Sequence, residues 1–314
     1  MRIAIFGSGG VGGYFGARLA QAGEEVIFIA RGEHLKAMQG HGLRVDSLAG
    51  NFSLDTVNAT DKPDEVGEVD AILVGVKAWQ VPEAAEAMRP LVGKNTFIVP
   101  LQNGIEAPSK LAAVVGEGHV LGGLCGLISF LVEPGHIRHA GAEPFIAFGE
   151  LDNRVSDRVK KLQGAIDKAE GAKANVPSDI NVAMWDKFMF VAAWSGVGAI
   201  TRSPLGTFRS QPESREMLGQ ALTETYEVAQ ARGVRLALDS VNAMIARYDK
   251  LPEAGTASMQ RDIMAGRPSE LEQQNGAVVR LGKEAGVETP INSFIYHSLL
   301  PMERRARGEI QFQV

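Results

Sequence analysis

The first 31 residues, MRIAIFGSGGVGGYFGARLAQAGEEVIFIAR, carry the tightest structural constraint in the chain. Ile3, Ile5 and Phe6 form a short β-branched and aromatic run, which reads as a buried strand. Gly7, Gly9 and Gly12 follow as G-x-G-x-x-G, and from Val11 to Ala22 apolar residues recur at helical spacing until Gly23 stops the helix. Strand, glycine turn and helix in that order make a βαβ dinucleotide fingerprint, which the glycine pattern alone, in a chain with 36 glycines, does not. Gly7 allows the tight turn, Gly9 lets the backbone approach a pyrophosphate, and Gly12 lets helix and strand pack closely. Ser8, Gly10 and Val11 complete the turn, whose phosphate lies at the helix N-terminus.

The second strand, Glu25 to Ala30, ends without the acidic residue that usually holds the ribose 2′-hydroxyl of NAD. Arg31 stands there instead. It is either a solvated surface charge or a bidentate partner for a 2′-phosphate, and the second reading predicts NADP over NAD.

A chain of 314 residues has room for about two domains with real cores. Its net charge of −5 argues against nucleic acid or an anionic membrane as partner, since both are bound by clustered positive charge. Arg304, Arg305 and Arg307 read as a solvated helix end. Cys125 is the single cysteine, which rules out an intrachain disulfide and a cysteine-rich metal centre; its apolar setting, LGGLCGLISFLV, predicts a buried, inert thiol. No run of about 18 uncharged apolar residues occurs and no signal-peptide pattern precedes the first strand, so a cytoplasmic protein is expected.

Along the chain, Gly40 to Thr60 is polar and glycine-punctuated, with Leu43, Val45 and Leu48 suggesting a small hairpin. Alternation then resumes with strands at Asp70–Val76, Thr96–Val99 and Val120–Gly123, and helices at Pro82–Met88 and Ile105–Val115. Gly135–Ala140 and Pro144–Gly149 read as antiparallel additions to the same sheet, and Val155–Glu170 as an amphipathic helix. From Asp179 to Leu300 the pattern is helical throughout. The expected organisation is therefore a Rossmann-like, doubly wound α/β domain over residues 1–177, followed by an all-helical domain over 178–314.

Several residues invite chemical readings. Lys187 lies in VAMWDKFMFVAAW, a helix apolar on nearly every face, so it is expected in a core. It is either a snorkelling lysine paired with Asp186 or another neighbour, or a desolvated ammonium of lowered pKa able to protonate a ketone oxygen. Val76-Lys77-Ala78-Trp79-Gln80 and Leu101-Gln102-Asn103-Gly104 both follow strands, where ligands bind in open α/β sheets, although Asn103-Gly104 is equally a plain turn. Ser269 and Glu272 form an S-x-x-E capping box, which predicts a helix start and puts Glu270 in a first turn, where a carboxylate is favoured anyway.

Together GSGGVG, Arg31, VKAWQ, LQNG, W-x-K-F, and SMQRDI followed by GRPSELEQQNG resemble the ketopantoate reductase (2-dehydropantoate 2-reductase) family in order and spacing over nearly the whole chain. The resemblance implies NADPH-dependent reduction of a 2-oxo acid, with ketopantoate foremost, in pantothenate biosynthesis. It implies Lys187 as proton donor, Lys77 and Asn103 as cofactor contacts, and Glu270 between cofactor and substrate. Asn103 and Ser258 would bind substrate, and a homodimer is possible. The chain also departs from that pattern. Asparagines that hold substrate four and eight residues after the lysine, and a further one, are here Val191, Ser195 and Leu205. An amide is not replaced by valine without losing its hydrogen bonds. Ser195 then remains as a substrate contact, and Thr201 and Arg202 are candidate replacements, Arg202 for the substrate carboxylate. Reduction of a different small 2-oxo acid, or NADP sensing without turnover, are the competing readings.

Overall fold

The structure, a computed structural model, describes residues 1–311, which divide into two units. The first comprises Met1–Gln102 and Ala107–Asn181, and the second Asn103–Glu106 and Val182 onward. The sequence reading placed one division at 177/178; here it falls between Asn181 and Val182, and the short segment after Gln102 goes with the helical part.

In chain order the first unit contains β1 (Arg2–Phe6), α1 (Gly10–Gln21), β2 (Glu25–Ile29), α2 (Gly32–His41), β3 (Leu43–Asp46), β4 (Phe52–Leu54) and β5 (Asn58–Thr60). Then come β6 (Ala71–Val74), α3 (Val81–Ala87), β7 (Phe97–Pro100), α4 (Ala107–Val115), β8 (Gly122–Glu133), β9 (His136–Gly149), α5 (Asp157–Asp167) and β10 (Lys173–Asn175). A parallel sheet runs in the order β5-β2-β1-β6-β7. Its inner strands are apolar at successive positions because both faces are covered. Ile3 and Ile5 pack with Tyr14, Phe15 and Leu19 of α1, while Ala4 and Phe6 pack with Val81, Ala84 and Ala85 of α3 and Leu111 of α4. Each such isoleucine, withdrawn fully from water, contributes roughly 1.5–3 kcal/mol.

The segments expected to extend this sheet form a second one instead. β8 and β9 make a long antiparallel hairpin that turns at Gly135, and β9 also pairs in parallel with β3 and β10. The hairpin near Leu43 is present as β3 and β4, with Leu48 exposed in its turn. Three elements had no sequence signal strong enough to register: α2 and the edge strands β5 and β10.

The second unit holds α6 (Ile180–Thr201, which begins in the first), α7 (Leu205–Ser210), α8 (Pro212–Ala231), α9 (Ser240–Asp249), α10 (Ser258–Met264), α11 (Asn275–Ala285) and α12 (Pro290–Ala306). Its axis is α6. One side, with Met189, Ala193 and Val197, packs with residues of α8, α9 and α12; another, with Trp185, Phe188 and Ala192, packs with α8 and α11. The helix predicted to start at Ser269 begins instead at Asn275. Tertiary contacts take the capping residues: Ser269 donates its hydroxyl (2.5 Å) and N–H to Glu303, and Glu272 accepts from Arg280 and Tyr296. Residues 270–274 are therefore a turn, in which the Gln274 N–H donates to the Glu270 carbonyl. No helix among the described residues is long and apolar enough to cross a membrane.

Candidate active site

The glycine turn between β1 and α1 is specified by contacts on two sides and by open space on a third. Gly7 has φ +95°, a region that disfavours other residues, and a Cβ there would lie 2.6 Å from the Val76 nitrogen. A Cβ on Gly12 would lie 2.2 Å from the Gly7 carbonyl oxygen. At Gly9 it would meet nothing within 4 Å. The first turn of α1 carries no acidic residue, so its N–H groups and dipole favour an anion. Beside it, a Cβ on Gly10 would lie 2.9 Å from the Ser129 carbonyl oxygen, and the Ser129 hydroxyl is buried without a partner. This cradle fits a dinucleotide pyrophosphate. Val11 is half-buried in the same first turn.

Ser8 contributes backbone rather than side chain, because its hydroxyl is buried and donates to the Ile29 carbonyl at 3.1 Å. Its own carbonyl accepts from His34 Nε2 (2.8 Å), while His34 Nδ1 accepts from the Gly135 N–H (3.0 Å). That pair of bonds calls for a neutral imidazole. Burial, the larger effect, holds the His34 pKa below its ordinary value, against the Ser8 bond.

Arg31 lies just past β2 with its guanidinium exposed and paired to Glu83 of α3 at 3.0 Å. An exposed pair of this kind is worth about 0–1 kcal/mol, so it yields readily to a phosphate. Lys77 is exposed after β6, its ammonium 5.7 Å from the Trp79 ring centre. Gln102, not singled out by spacing, donates to the carbonyls of Val74 (2.8 Å) and Val76 (3.0 Å) and ties the ends of two strands together. Its Oε1 is buried and unpartnered.

In the second unit, Asn103 and Glu270 are brought together, Nδ2 lying 3.5 Å from Oε2. A network absent from the sequence reading holds them there. Arg280 donates to Glu106 (2.8 Å) and to Glu272 (2.5 Å), and Glu272 also accepts from the Tyr296 hydroxyl (2.5 Å). Gly104 adopts φ +104° beside the Gln273 carbonyl, so the Asn103-Gly104 turn and the 270–274 turn meet backbone to backbone. Burial, reinforced by Glu272, pushes the Tyr296 pKa up to about 12, so its proton stays in this network.

Lys187 is half-buried rather than enclosed in the core. Ala183, Asp186, Lys187, Phe190, Val191 and Trp194 recur at helical spacing, and all are half-buried, so they form one incompletely covered face of α6. Asp186 lies about 100° around the helix from Lys187. Burial pushes its carboxyl above the ordinary range, against the pull of Arg247. Ser195 is buried, and Ser258 is half-buried at the start of α10.

The proposed replacement ligands, Thr201 and Arg202, lie roughly 20 Å along α6 from Lys187. Thr201 returns its hydroxyl to the Val197 carbonyl at 2.8 Å. Leu205, the third of the altered asparagine positions, is buried in the helical core. Arg202 ends α6 in a left-handed conformation (φ +53°) and is exposed. The reading of Arg202 as carboxylate ligand is therefore withdrawn. Arg202→Ala should leave KM for a 2-oxo acid within about twofold, as for an ordinary surface substitution; a large rise in steady-state KM would show that this side chain reaches the substrate after all.

Residues 3–153 match the family described as Ketopantoate reductase PanE/ApbA, and residues 179–303 match Ketopantoate reductase PanE/ApbA C terminal. The chain belongs to the ketopantoate reductase family. It is accordingly a 2-dehydropantoate 2-reductase-like oxidoreductase of a family that uses NAD(P). It is 31% identical over 311 residues to the 2-dehydropantoate 2-reductase of Mesorhizobium japonicum, covering 92% of this chain and 94% of the other. It is 28% identical to the uncharacterized oxidoreductase YkpB of Bacillus subtilis over 95% of this chain and 98% of that one. Among solved structures, a 2-dehydropantoate 2-reductase from Geobacter metallireducens superposes with a TM-score of 0.89 at 31% identity, over 96% of this chain and 99% of that one.

Proposed function

We propose that this member of the ketopantoate reductase family reduces a 2-oxo acid with NADPH, ketopantoate being the leading substrate, and that Lys187 donates the proton. The observation that carries this reading is the position of Lys187. α6 carries two charged residues, Asp186 and Lys187, both on its half-open face, and of these only the ammonium can both stabilise the charge growing on a carbonyl oxygen and give it a proton. Residues 1–177 would supply the cofactor contacts and 178–314 the substrate and acid groups, with Asn103, from the α/β part of the sequence, joining the latter.

Gly7, Ser8, Gly9, Gly10, Val11 and Gly12 would hold the pyrophosphate through backbone N–H groups, and Arg31 would take the 2′-phosphate in exchange for Glu83. Lys77, Asn103 and Glu270 would complete the cofactor contacts. NADPH supplies a hydride to the carbonyl carbon. As the carbonyl electron pair moves onto oxygen, the Lys187 ammonium stabilises the growing charge and transfers its proton there, leaving a 2-hydroxy acid and a neutral amine that regains a proton from water. Asn103, Ser195 and Ser258 would orient the acid by hydrogen bonds.

The test is consumption of NADPH in the presence of a panel of 2-oxo acids that includes ketopantoate. Turnover of ketopantoate supports the reading; tight NADPH binding with no turnover of any acid supports a sensor instead. Cofactor choice is tested separately. NADPH should bind at least about tenfold more tightly than NADH, and Arg31→Ala should remove most of that difference, since a charge-assisted contact is worth about 1.5–3 kcal/mol. Equal affinities for the two cofactors in the unmutated protein would sink the assignment of Arg31.

A further inference from the structure

We propose that His34 is a positioning residue for the cofactor: it locks the peptide between Ser8 and Gly9 so that the Gly9 N–H is presented to the dinucleotide pyrophosphate. The proposal rests on the reading of the glycine turn as the pyrophosphate cradle.

The chain of bonds starts outside that turn. The Gly135 carbonyl, at the tip of the β8–β9 hairpin, accepts from the Arg44 N–H of β3 at 2.9 Å, which holds Gly135 independently of His34. The Gly135 N–H can only donate, so His34 Nδ1, 3.0 Å away, is the acceptor. In a neutral imidazole the proton then sits on Nε2, which faces the Ser8 carbonyl at 2.8 Å, a group that can only accept. Burial favours that neutral ring. Both ring nitrogens are thus committed, and the donor aimed at Ser8 is fixed by a neighbour that does not itself belong to the cradle.

Ser8 is held on its other side as well, its hydroxyl donating to the Ile29 carbonyl of β2 at 3.1 Å. Its carbonyl and the Gly9 N–H belong to one planar trans peptide, in which they point in opposite directions. Turning the carbonyl toward His34 therefore turns the Gly9 N–H away from it. That N–H has no acceptor among the described residues, and Gly9 is only half-buried, with free space where a Cβ would stand. A donor that is reachable, unspent and held in one direction suits an anion, because no reorientation is needed when the charge arrives. Without the bond from His34 the peptide is free to rotate and set its carbonyl, rather than its N–H, against the phosphate. Arg31 is the N-cap of α2 and His34 lies three residues on, so one helical turn would serve both the 2′-phosphate and the pyrophosphate.

NADPH titrations and thermal melts of the full-length protein, unmutated and as His34→Leu and His34→Gln, test the assignment. Leucine removes both bonds and keeps an apolar body in the half-buried position, whereas glutamine again offers a donor and an acceptor. The NADPH dissociation constant should rise about tenfold or more in His34→Leu, the size of one hydrogen bond to a charged group, and His34→Gln should recover it to within about threefold. A residue that merely holds α2 in place would lower the melting temperature of His34→Leu and leave the dissociation constant of the folded fraction unchanged. An unchanged constant in His34→Leu, or a loss that His34→Gln shares in full, would overturn the role of His34 while leaving the pyrophosphate reading intact. Should His34→Leu not fold, nitrogen NMR of the unmutated protein at about pH 7.5 supplies a second measurement: a proton on Nε2 alone is expected, and a proton on Nδ1 overturns the assignment. If the unmutated protein binds no NADPH, both readings fall.

Discussion

Lys187→Ala should lower kcat about a hundredfold or more on a 2-oxo acid while leaving the NADPH dissociation constant within about twofold. General acid catalysis typically supplies 10²–10⁴ in rate, and its loss removes an interaction made only as charge develops on the carbonyl oxygen. The alternative role, a lysine that merely covers apolar surface with its stem, predicts the reverse pattern. Its removal would then lower the melting temperature and leave turnover of the folded fraction unchanged. Single-turnover rates with saturating cofactor, taken beside a thermal melt, separate the two.

A pair of substitutions in the glycine turn should dissociate folding from cofactor binding. Gly12→Ala puts a methyl group 2.2 Å from the Gly7 carbonyl oxygen and 3.0 Å from Ile5 Cγ2, where the nearest obstacle is backbone and must move. Overpacking of this kind costs about 1–3 kcal/mol or more, so the variant should melt several degrees lower and bind NADPH weakly. Gly9→Ala meets no protein atom within 4 Å. Its melting temperature should stay within about a degree, yet NADPH affinity should fall at least about tenfold, because the methyl group occupies the space left for pyrophosphate. Calorimetry and cofactor titration on both variants check this. Normal NADPH binding by Gly9→Ala would move the phosphate away from this turn.

What the sequence disclosed, and what it hid, follows from the range of the interactions involved. β1, α1 and β2 are specified by neighbours within about thirty residues and by glycine sterics, so their order could be read directly. The second sheet could not, because β3 pairs with β9 across some ninety residues and neither strand signals its partner. The S-x-x-E at Ser269 is a genuine local signal overridden from outside, by Glu303 of α12. Lys187 shows the limit most clearly. A helix apolar on nearly all faces predicts burial, but the face left open depends on where α8, α9, α11 and α12 pack, and none of these is encoded in α6. The clamp of Glu106, Arg280, Glu272 and Tyr296 was invisible for the same reason: its members are scattered along the chain and meet only after folding.

The central claim is that this chain moves a hydride from NADPH to the carbonyl carbon of a 2-oxo acid. It is tested most directly by incubating the enzyme with ketopantoate and NADPH deuterated at both positions of nicotinamide C4, then locating the label in the product by mass spectrometry and NMR. One deuterium on the carbon that was the carbonyl, at a rate that falls about a hundredfold or more in Lys187→Ala, is the predicted result. Bound NADPH with no labelled hydroxy acid from ketopantoate or any other 2-oxo acid would contradict it.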